Sequence, residues 1–277
     1  MKNLFLNRMV AVAGLAILCA VGMPSKPALA TTLTSGNTTV IIDPTDLRNL
    51  LSWVVDGVQQ IFEEAFWFRI GSTGGEINLN TLPSVEVFPV GNVLLVTYTG
   101  TGFNITVSYI VTGGLPGSGT SDVGEIISIN NTSGAPLDFH FFEYTDFDLN
   151  GTPGTDSVQL INTVLWRQKD GGFVLSETSG IPEATGCQDA FFPTTLTSLN
   201  DGAPTTFAAN DPVNCGLVGP GDVTWAWQWD RILASGGSFI ISKDKHLRQE
   251  NAPEPGTLAL LGLGLAGLAA WGRRRAK

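Results

Sequence analysis

The sequence predicts an all-β fold, an antiparallel sandwich or a jelly roll. Most of residues 70–245 consists of short runs rich in β-branched and aromatic residues, separated by Gly, Pro, Asn, Asp and Thr. Runs of this length with turn signals between them are typical of antiparallel strands in two-sheet proteins. The clearest runs cover residues 85–88, 92–99, 103–111, 125–130, 137–144, 157–166, 172–177, 223–229 and 238–242.

Two segments depart from this pattern. In residues 44–66 the hydrophobic residues fall at helical spacing, among them Leu47, Leu51 and Val58, although Gly57 interrupts the run. We expect an N-terminal helix there that leads into the strand FWFRIG. Residues 180–222 show little periodicity, and for them we expect a long loop.

The N-terminus has the features of an export signal. Lys2 and Arg8 give a positive start, and residues 9–22 form an apolar run. Ala28 and Ala30 supply the small residues of a cleavage site, so we expect signal peptidase to cut after Ala30. The signal peptide would be residues 1–30, and its partners would be the export machinery and signal peptidase.

The exported body is strongly acidic. We expect one extracellular domain at residues 31–242, a polar linker at 243–252 and a C-terminal tail at 253–277. Residues 31–252 contain 8 basic and 24 acidic residues, which gives a formal charge of −16. Such a body repels phosphate backbones, so the sequence argues against nucleic-acid binding.

Two cysteines, Cys187 and Cys215, remain in the exported body. An even number of cysteines in an oxidising compartment favours a disulfide. This bridge would close a loop of 28 residues and stabilise the body by roughly 3 kcal/mol in the chain-entropy model. The alternative, a thiol nucleophile or metal ligand, has little support because His140 and His246 are the only histidines.

The C-terminal tail has three ordered elements. The first is the sorting tripeptide Pro253, Glu254 and Pro255, in which the prolines favour an extended chain. Residues 258–272 follow without a charge and would span roughly 22 Å as a helix, less than the ~30 Å hydrocarbon core. The last element is a cluster of cytoplasmic arginines: Arg273, Arg274 and Arg275.

This tail resembles the PEP-CTERM sorting signal, which marks the substrates of exosortases in Gram-negative bacteria that make extracellular polysaccharide. The resemblance implies an exosortase-type membrane transpeptidase as partner and removal of the tail near Pro255. The body would stand in the periplasm while the tail is anchored in the inner membrane. It would then pass to the cell surface or the polysaccharide matrix. A plain C-terminal membrane anchor is the alternative.

The body resembles a β-rich domain that recurs among PEP-CTERM proteins. The similarity lies in LDFHFFEYTDFDLNGT and continues to WAWQWDRIL and GGSF. It supports the predicted fold and implies no activity.

The segment DFDLNGTPGTD resembles the first half of a calcium loop. Asp146, Asp148 and Asn150 alternate as oxygen donors, Gly151 permits a tight turn, and Asp156 adds a further carboxylate. The flanking residues read as strands instead of the helices of an EF-hand, and the twelfth position is not acidic. The other interpretation is a β-connection with solvated aspartates. Both stay open, and Ca²⁺ is the one cofactor that the sequence suggests.

The stretch WAWQWD places three tryptophans at alternate positions. Trp225, Trp227 and Trp229 would face one side of a strand, where exposed rings could stack on sugars. The other interpretation, which we favour, places the rings in the sandwich core.

We find no recognisable catalytic motif. Glu143, Asp146 and Asp148 are the densest acidic cluster, and a glycosidase needs two carboxylates about 5–10 Å apart, yet none lies in a known motif. The sequence therefore predicts a non-enzymatic exported protein with a structural or adhesive role at the exopolysaccharide. The alternatives are a calcium-assisted carbohydrate-binding module and a glycan-active enzyme.

Overall fold

The computed structural model describes residues 30–250. The expected signal peptide, apart from Ala30, and the expected tail from Pro253 lie outside these residues. Within the described part, no helix is both long enough and apolar enough to cross a membrane.

The described residues form two β-sheets packed face to face. Sheet I has the order β1-β2-β3-β5-β11-β18-β15-β16, with β4 beside β3 and β6 beside β5. Its strands are β1 Thr31–Ser35, β2 Thr38–Asp43, β3 Asn49–Val55, β4 Val58–Gln59, β5 Glu63–Ile70, β6 Ile77–Asn78, β11 Leu137–Asp146, β15 Gly186–Phe191, β16 Ala208–Ala209 and β18 Val223–Leu233.

Sheet II has the order β17-β12-β13-β14-β19-β10-β9-β8-β7. Its strands are β7 Ser84–Val90, β8 Val93–Gly100, β9 Phe103–Gly113, β10 Ser121–Asn131, β12 Asp156–Asn162, β13 Leu165–Asp170, β14 Phe173–Ser179, β17 Leu217–Gly221 and β19 Ser238–Gln249. The strand pairs are antiparallel except for a short parallel contact between β3 and β5. The prediction of an antiparallel sandwich is confirmed.

The N-terminal helix expected at residues 44–66 is wrong, because this segment forms β3, β4 and the start of β5. Asp56 and Gly57 both have positive φ, at 50° and 82°, and pair Val55 with Val58 across a two-residue turn. Asp-Gly is the sequence that this kind of hairpin turn prefers. The β-branched residues on either side then continue as strands.

Two expected boundaries also change. Strand β19 continues to Gln249 and lies between β14 and β10, so residues 243–249 belong to the body and not to a polar linker. Within 180–222, residues 186–191 form β15, which pairs with β18 in sheet I. The rest of that segment contains the short helix α1, Thr194–Asn200, the short strands β16 and β17, and irregular chain.

The space between the sheets contains one large hydrophobic core, since alternate residues of each strand point inward. A smaller cluster lies on the outer face of sheet I, where α1 and the following chain cover it. Its members are Ala65, Trp67, Phe142, Tyr144, Leu199, Phe207 and Ala226. The central strands of sheet I are therefore buried on both faces.

Six charged side chains also lie between the sheets, wholly out of solvent. They are Glu64 and Glu143 of sheet I, and Glu125, Glu177, Lys243 and Lys245 of sheet II. We call them the buried ion cluster. The Lys245 ammonium lies 2.7 Å from a carboxylate oxygen of Glu64 and 2.7 Å from one of Glu125. The Lys243 ammonium contacts all four glutamates. Ion pairs therefore connect the two sheets at the centre of the sandwich.

Candidate functional site

Four carboxylates meet at one end of the central strands of sheet I. Glu63 begins β5 and lies opposite Asp146, which ends β11. Asp148 follows two residues later, and Asp222 directly precedes β18. Carboxylate oxygens of Asp146, Asp148 and Asp222 all lie within 4.8 Å of one another. We call these four residues the acidic site.

The two inner carboxylates of the site have unsatisfied oxygens. Asp146 is 2% exposed and Glu63 is 6% exposed. Asp146 Oδ1 and Glu63 Oε1 have no hydrogen-bond partner, and Asp146 Oδ2 accepts only a long bond of 3.5 Å from the Tyr144 hydroxyl. Asp148 and Asp222 are partly exposed, so the site opens to solvent on their side. Buried polar atoms without partners are rare, and their presence points to a missing ligand or proton.

Burial and mutual repulsion make these carboxylates weak acids. Burial and the charges of neighbouring aspartates raise the pKa of Asp146 to about 8. Burial raises the pKa of Glu63 to about 7, although the Arg48 guanidinium opposes the change. Burial and the charge of Asp222 raise the pKa of Asp148 to about 6. The inner carboxyl groups of the site therefore tend to keep their protons near neutral pH, because no nearby cation among the described residues fully offsets the cost of ionising them.

Exposed phenylalanines border the acidic site. Among the described aromatic residues, only Phe62, Phe191 and Phe192 have exposed side chains, with exposed fractions of 45%, 50% and 40%. The Phe62 amide donates a hydrogen bond to the Asp146 carbonyl, and the Phe192 amide donates one to the Asp222 carbonyl, both at 2.9 Å.

The ring of Phe191 lies against the backbone of Gly221, next to Asp222. A Cβ atom on Gly221 would come within 2.5 Å of this ring. All three phenylalanines thus belong to chain segments that contact or adjoin the acidic site. Exposed rings grouped beside carboxylates mark a binding surface more often than isolated surface rings do.

A cleft of about 300 Å³ lies further along β15, beside the helix α1. Gln188 and Asp189 line it together with Phe207. Gln188 Oε1 and Asp189 Oδ2 have no hydrogen-bond partner, and burial raises the pKa of Asp189 to about 6. Phe191 lies on the same strand, two residues beyond Asp189.

Only part of the sequence-predicted calcium set is brought together. Asp146 and Asp148 converge as expected, but Asn150 is exposed at a 3₁₀ turn with φ 60°. Asp156 does not belong to this group and accepts a 2.7 Å hydrogen bond from the side-chain amide of Gln168. The calcium-like segment does not include Glu63 and Asp222, because they come from other parts of the chain. In the sequence, each is marked only as an acidic residue at the end of a strand.

The tryptophan row is not an exposed sugar platform. Trp225, Trp227 and Trp229 are at most 1% exposed and point between the sheets. Trp166 of the opposite sheet packs on two of them, with ring centroids 6.0 and 6.3 Å apart. The interpretation of this row as a carbohydrate-binding platform is therefore wrong. The alternate residues of β18 that include the tryptophans face the other sheet, so the rings belong to the core.

The expected disulfide is confirmed. Cys187 and Cys215 are bonded, and their Cα atoms lie 6.2 Å apart, within the usual range. The bridge ties β15 to the chain that leads into β17.

The C-terminal segment matches a known family model. Residues 251–275 match the model described as PEP-CTERM protein-sorting motif. This motif implies export, a membrane-anchored sorting signal and processing by an exosortase. No curated protein sequence matches the chain.

The fold is similar to several solved structures. A bacterial glucoamylase complexed with acarbose has a TM-score of 0.57 and 10% identity, covering 88% of this chain and 36% of the glucoamylase. A galactose mutarotase-like protein from Clostridium acetobutylicum has a TM-score of 0.53 and 7% identity, covering 82% and 97%. An Escherichia coli K12 protein, provisionally described as an aldose 1-epimerase, has a TM-score of 0.52 and 10% identity, covering 80% and 100%.

These likenesses overturn the expectation that the chain is not an enzyme. That expectation rested on a β-sandwich without a catalytic motif, but the same fold occurs in proteins described as a glucoamylase and as an epimerase. At 7–10% identity, a catalytic motif shared with these proteins would not be recognisable in the sequence. The likeness itself shows the fold alone.

The chain spans about a third of the glucoamylase and nearly all of the two smaller proteins. The body thus shares a two-sheet sandwich fold with these proteins. The motif at residues 251–275 identifies the C-terminal segment as a PEP-CTERM sorting signal.

Proposed function

We propose that this protein is exported from a Gram-negative bacterium and binds carbohydrate at the cell surface or in the extracellular polysaccharide. The observation that supports this best is that the three exposed phenylalanines of the described residues belong to chain segments that contact or adjoin the acidic site. Signal peptidase would release the N-terminus, and exosortase would then process the tail. The body would be adhesive in the matrix, with the acidic site as its point of contact.

The chemistry of the surface fits a saccharide. Sugars have an apolar face that packs on aromatic rings and hydroxyl groups that donate hydrogen bonds to carboxylates. Phe191 and Phe192 supply the rings, while Asp148 and Asp222 supply partly exposed acceptors. Hydrogen bonds to charged groups contribute about 1.5–3 kcal/mol each. Solved neighbours described as acting on sugars support the same class of ligand.

Calorimetric titration of the exported protein with polysaccharide from the producing cells, and with short glycans derived from it, tests the proposal. The Phe191→Ala, Phe192→Ala double variant is expected to bind at least tenfold more weakly, since each lost ring contact is about 1 kcal/mol. Ile232→Ala is the control, because Ile232 is 78% exposed at the far end of β18. Equal affinities of the double variant and wild type would refute the proposed surface.

A second candidate function is catalysis on the bound sugar. It is favoured by the fold shared with proteins described as a glucoamylase and an epimerase. It is also favoured by the partly exposed carboxylates of Asp148 and Asp222, which lie within 4.8 Å of each other. Polarimetry of fresh aldoses and reducing-end assays on glycans test it. Activity that is lost in Asp148→Asn but kept in the control Glu86→Gln is the expected result, and equal activity in both variants would exclude this site.

A further inference from the structure

We propose that the acidic site binds a divalent cation, Ca²⁺, through Glu63, Asp146, Asp148 and Asp222. This proposal does not rest on carbohydrate binding, because it follows from the carboxylates alone. The ligand set also differs from the loop that the sequence suggested: two of its four members come from β5 and from the residue before β18.

The separations suit a single ion. Calcium–oxygen bonds are about 2.4 Å long, so two oxygens bound on opposite sides of one ion lie at most about 5 Å apart. The oxygens of Asp146, Asp148 and Asp222 are within 4.8 Å of one another. One ion can therefore contact all three without movement of a strand.

Unpartnered oxygens provide a second, independent indication. Glu63 is more than nine-tenths buried, lies directly across the strand pair from Asp146, and leaves Oε1 without a hydrogen bond. Asp146 Oδ1 is in the same condition. A buried carboxylate oxygen without a partner costs free energy, and a cation bound between these oxygens would remove that cost.

No side chain supplies the missing positive charge. Within residues 30–250, none of the four carboxylates forms an ion pair. The guanidinium that acts on Glu63 belongs to Arg48, and its Nε is already paired with Asp46 Oδ1 at 3.1 Å.

The buried ion cluster shows the opposite arrangement in the same molecule. Its glutamates Glu64, Glu143 and Glu177 also lie within 4.8 Å of one another, but two lysine ammonium groups are in contact with them. Of the two carboxylate groups in the described chain that could hold a metal ion, the acidic site is thus the one without a built-in cation.

The donor set favours calcium over other metals. All four donors are carboxylates, so histidine- or thiolate-seeking ions such as Zn²⁺ and Cu²⁺ are disfavoured. The partly exposed side of the site leaves room for water ligands, which suits the six to eight oxygens of Ca²⁺. Mg²⁺ requires a near-ideal octahedron with shorter bonds, which four side chains from three segments are poorly arranged to provide.

Calcium titration of the purified exported protein, after treatment with EDTA, tests the proposal by calorimetry and by the melting temperature. We expect one site per chain with half-saturation between about 0.1 and 1 mM, as in extracellular calcium modules, and a higher Tm at about 10 mM Ca²⁺. Mg²⁺ at the same concentration is expected to bind at least tenfold more weakly.

The decisive variant is Asp148→Asn with Asp222→Asn, because both residues are partly exposed and the fold should survive. It is expected to lose calcium binding, whereas Glu86→Gln with Glu183→Gln, two exposed carboxylates elsewhere, keeps it. Circular dichroism establishes that both variants are folded. Absence of binding in wild type, equal affinity in the Asp148/Asp222 variant, or tighter binding of Mg²⁺ would each overturn the assignment. Sugar binding measured in EDTA reports separately on the proposed function.

Discussion

The free energy of unfolding is expected to fall as the pH rises from about 6 to 8, and replacement of Glu177 by glutamine is expected to make this fall smaller. Glu177 is wholly buried in the buried ion cluster, and burial raises the pKa of its carboxyl to about 8 despite the neighbouring ammonium groups. The cluster has four carboxyls and two ammonium groups. A fully ionised cluster would leave two uncompensated negative charges in the core, which is why protons are retained.

The sign follows from proton binding in the two states. Glu177 keeps its proton when folded but loses it when unfolded at any pH above about 4.5, so folding takes up a proton. Stability is therefore full below that pH and declines as the pH approaches 8, by up to about 1.4 kcal/mol per pH unit for one proton. From pH 6 to pH 8 the decline is roughly 2 kcal/mol, because the slope halves as the pH reaches 8, and the Tm changes by about 4–8 °C for a domain of this size.

Glutamine has the shape of a protonated glutamate and does not titrate, so Glu177→Gln removes this contribution. Urea unfolding at several pH values in that range, without calcium, measures the slope for wild type and variant. Other carboxyls with raised pKa, such as Asp156, add the same slope to both proteins. The informative quantity is the difference between the pH slopes of wild type and Glu177→Gln. Equal slopes would show that Glu177 is ionised in the folded protein, and the reasoning about the buried ion cluster would be wrong.

Three further outcomes are expected. Cys187→Ser should lower the free energy of unfolding by roughly 3 kcal/mol, and reductant should affect wild type but not this variant. Trp227→Ala should cost about 3–5 kcal/mol by urea unfolding because the ring is fully buried, whereas Ile232→Ala should stay within about 0.5 kcal/mol. Intact-mass measurement of the protein from exosortase-containing cells should find residues 273–275 removed; their presence in the mature form would contradict processing of the motif.

The sequence predicted the sandwich because strand periodicity is a local property. The runs at 103–111 and 125–130 alternate inward and outward just as β9 and β10 do. The helix expected at 44–66 fails for the same reason, since a short hydrophobic run at this spacing fits a helix as well as a buried strand. The turn at Asp56-Gly57 divides this run into two strands.

The last strand predicted from the sequence ends at residue 242, whereas β19 continues to Gln249, and the reason is different. Lys243 and Lys245 look like a polar linker because lysines are rarely buried. Their alternation with partly exposed positions is nevertheless the strand period, and their partners Glu64 and Glu125 come from strands far away in the sequence.

Only part of the acidic site could be predicted from the local sequence. Asp146 and Asp148 lie two residues apart and could be named in advance, but Glu63 and Asp222 reach them only through strand pairing. Likewise, the inward side of the tryptophan row depends on which face of β18 the second sheet covers.

The position of β19 sets a condition on biogenesis. This strand fills the middle of sheet II, between β14 and β10, so translocation must deliver Gln249 before that sheet can close. Only three residues separate Gln249 from Pro253, a tether that reaches at most about 14 Å. The sorting tripeptide is therefore processed while the folded body lies close to it. Bulky loops on the side of the body that faces Pro253 would hinder access of the processing enzyme.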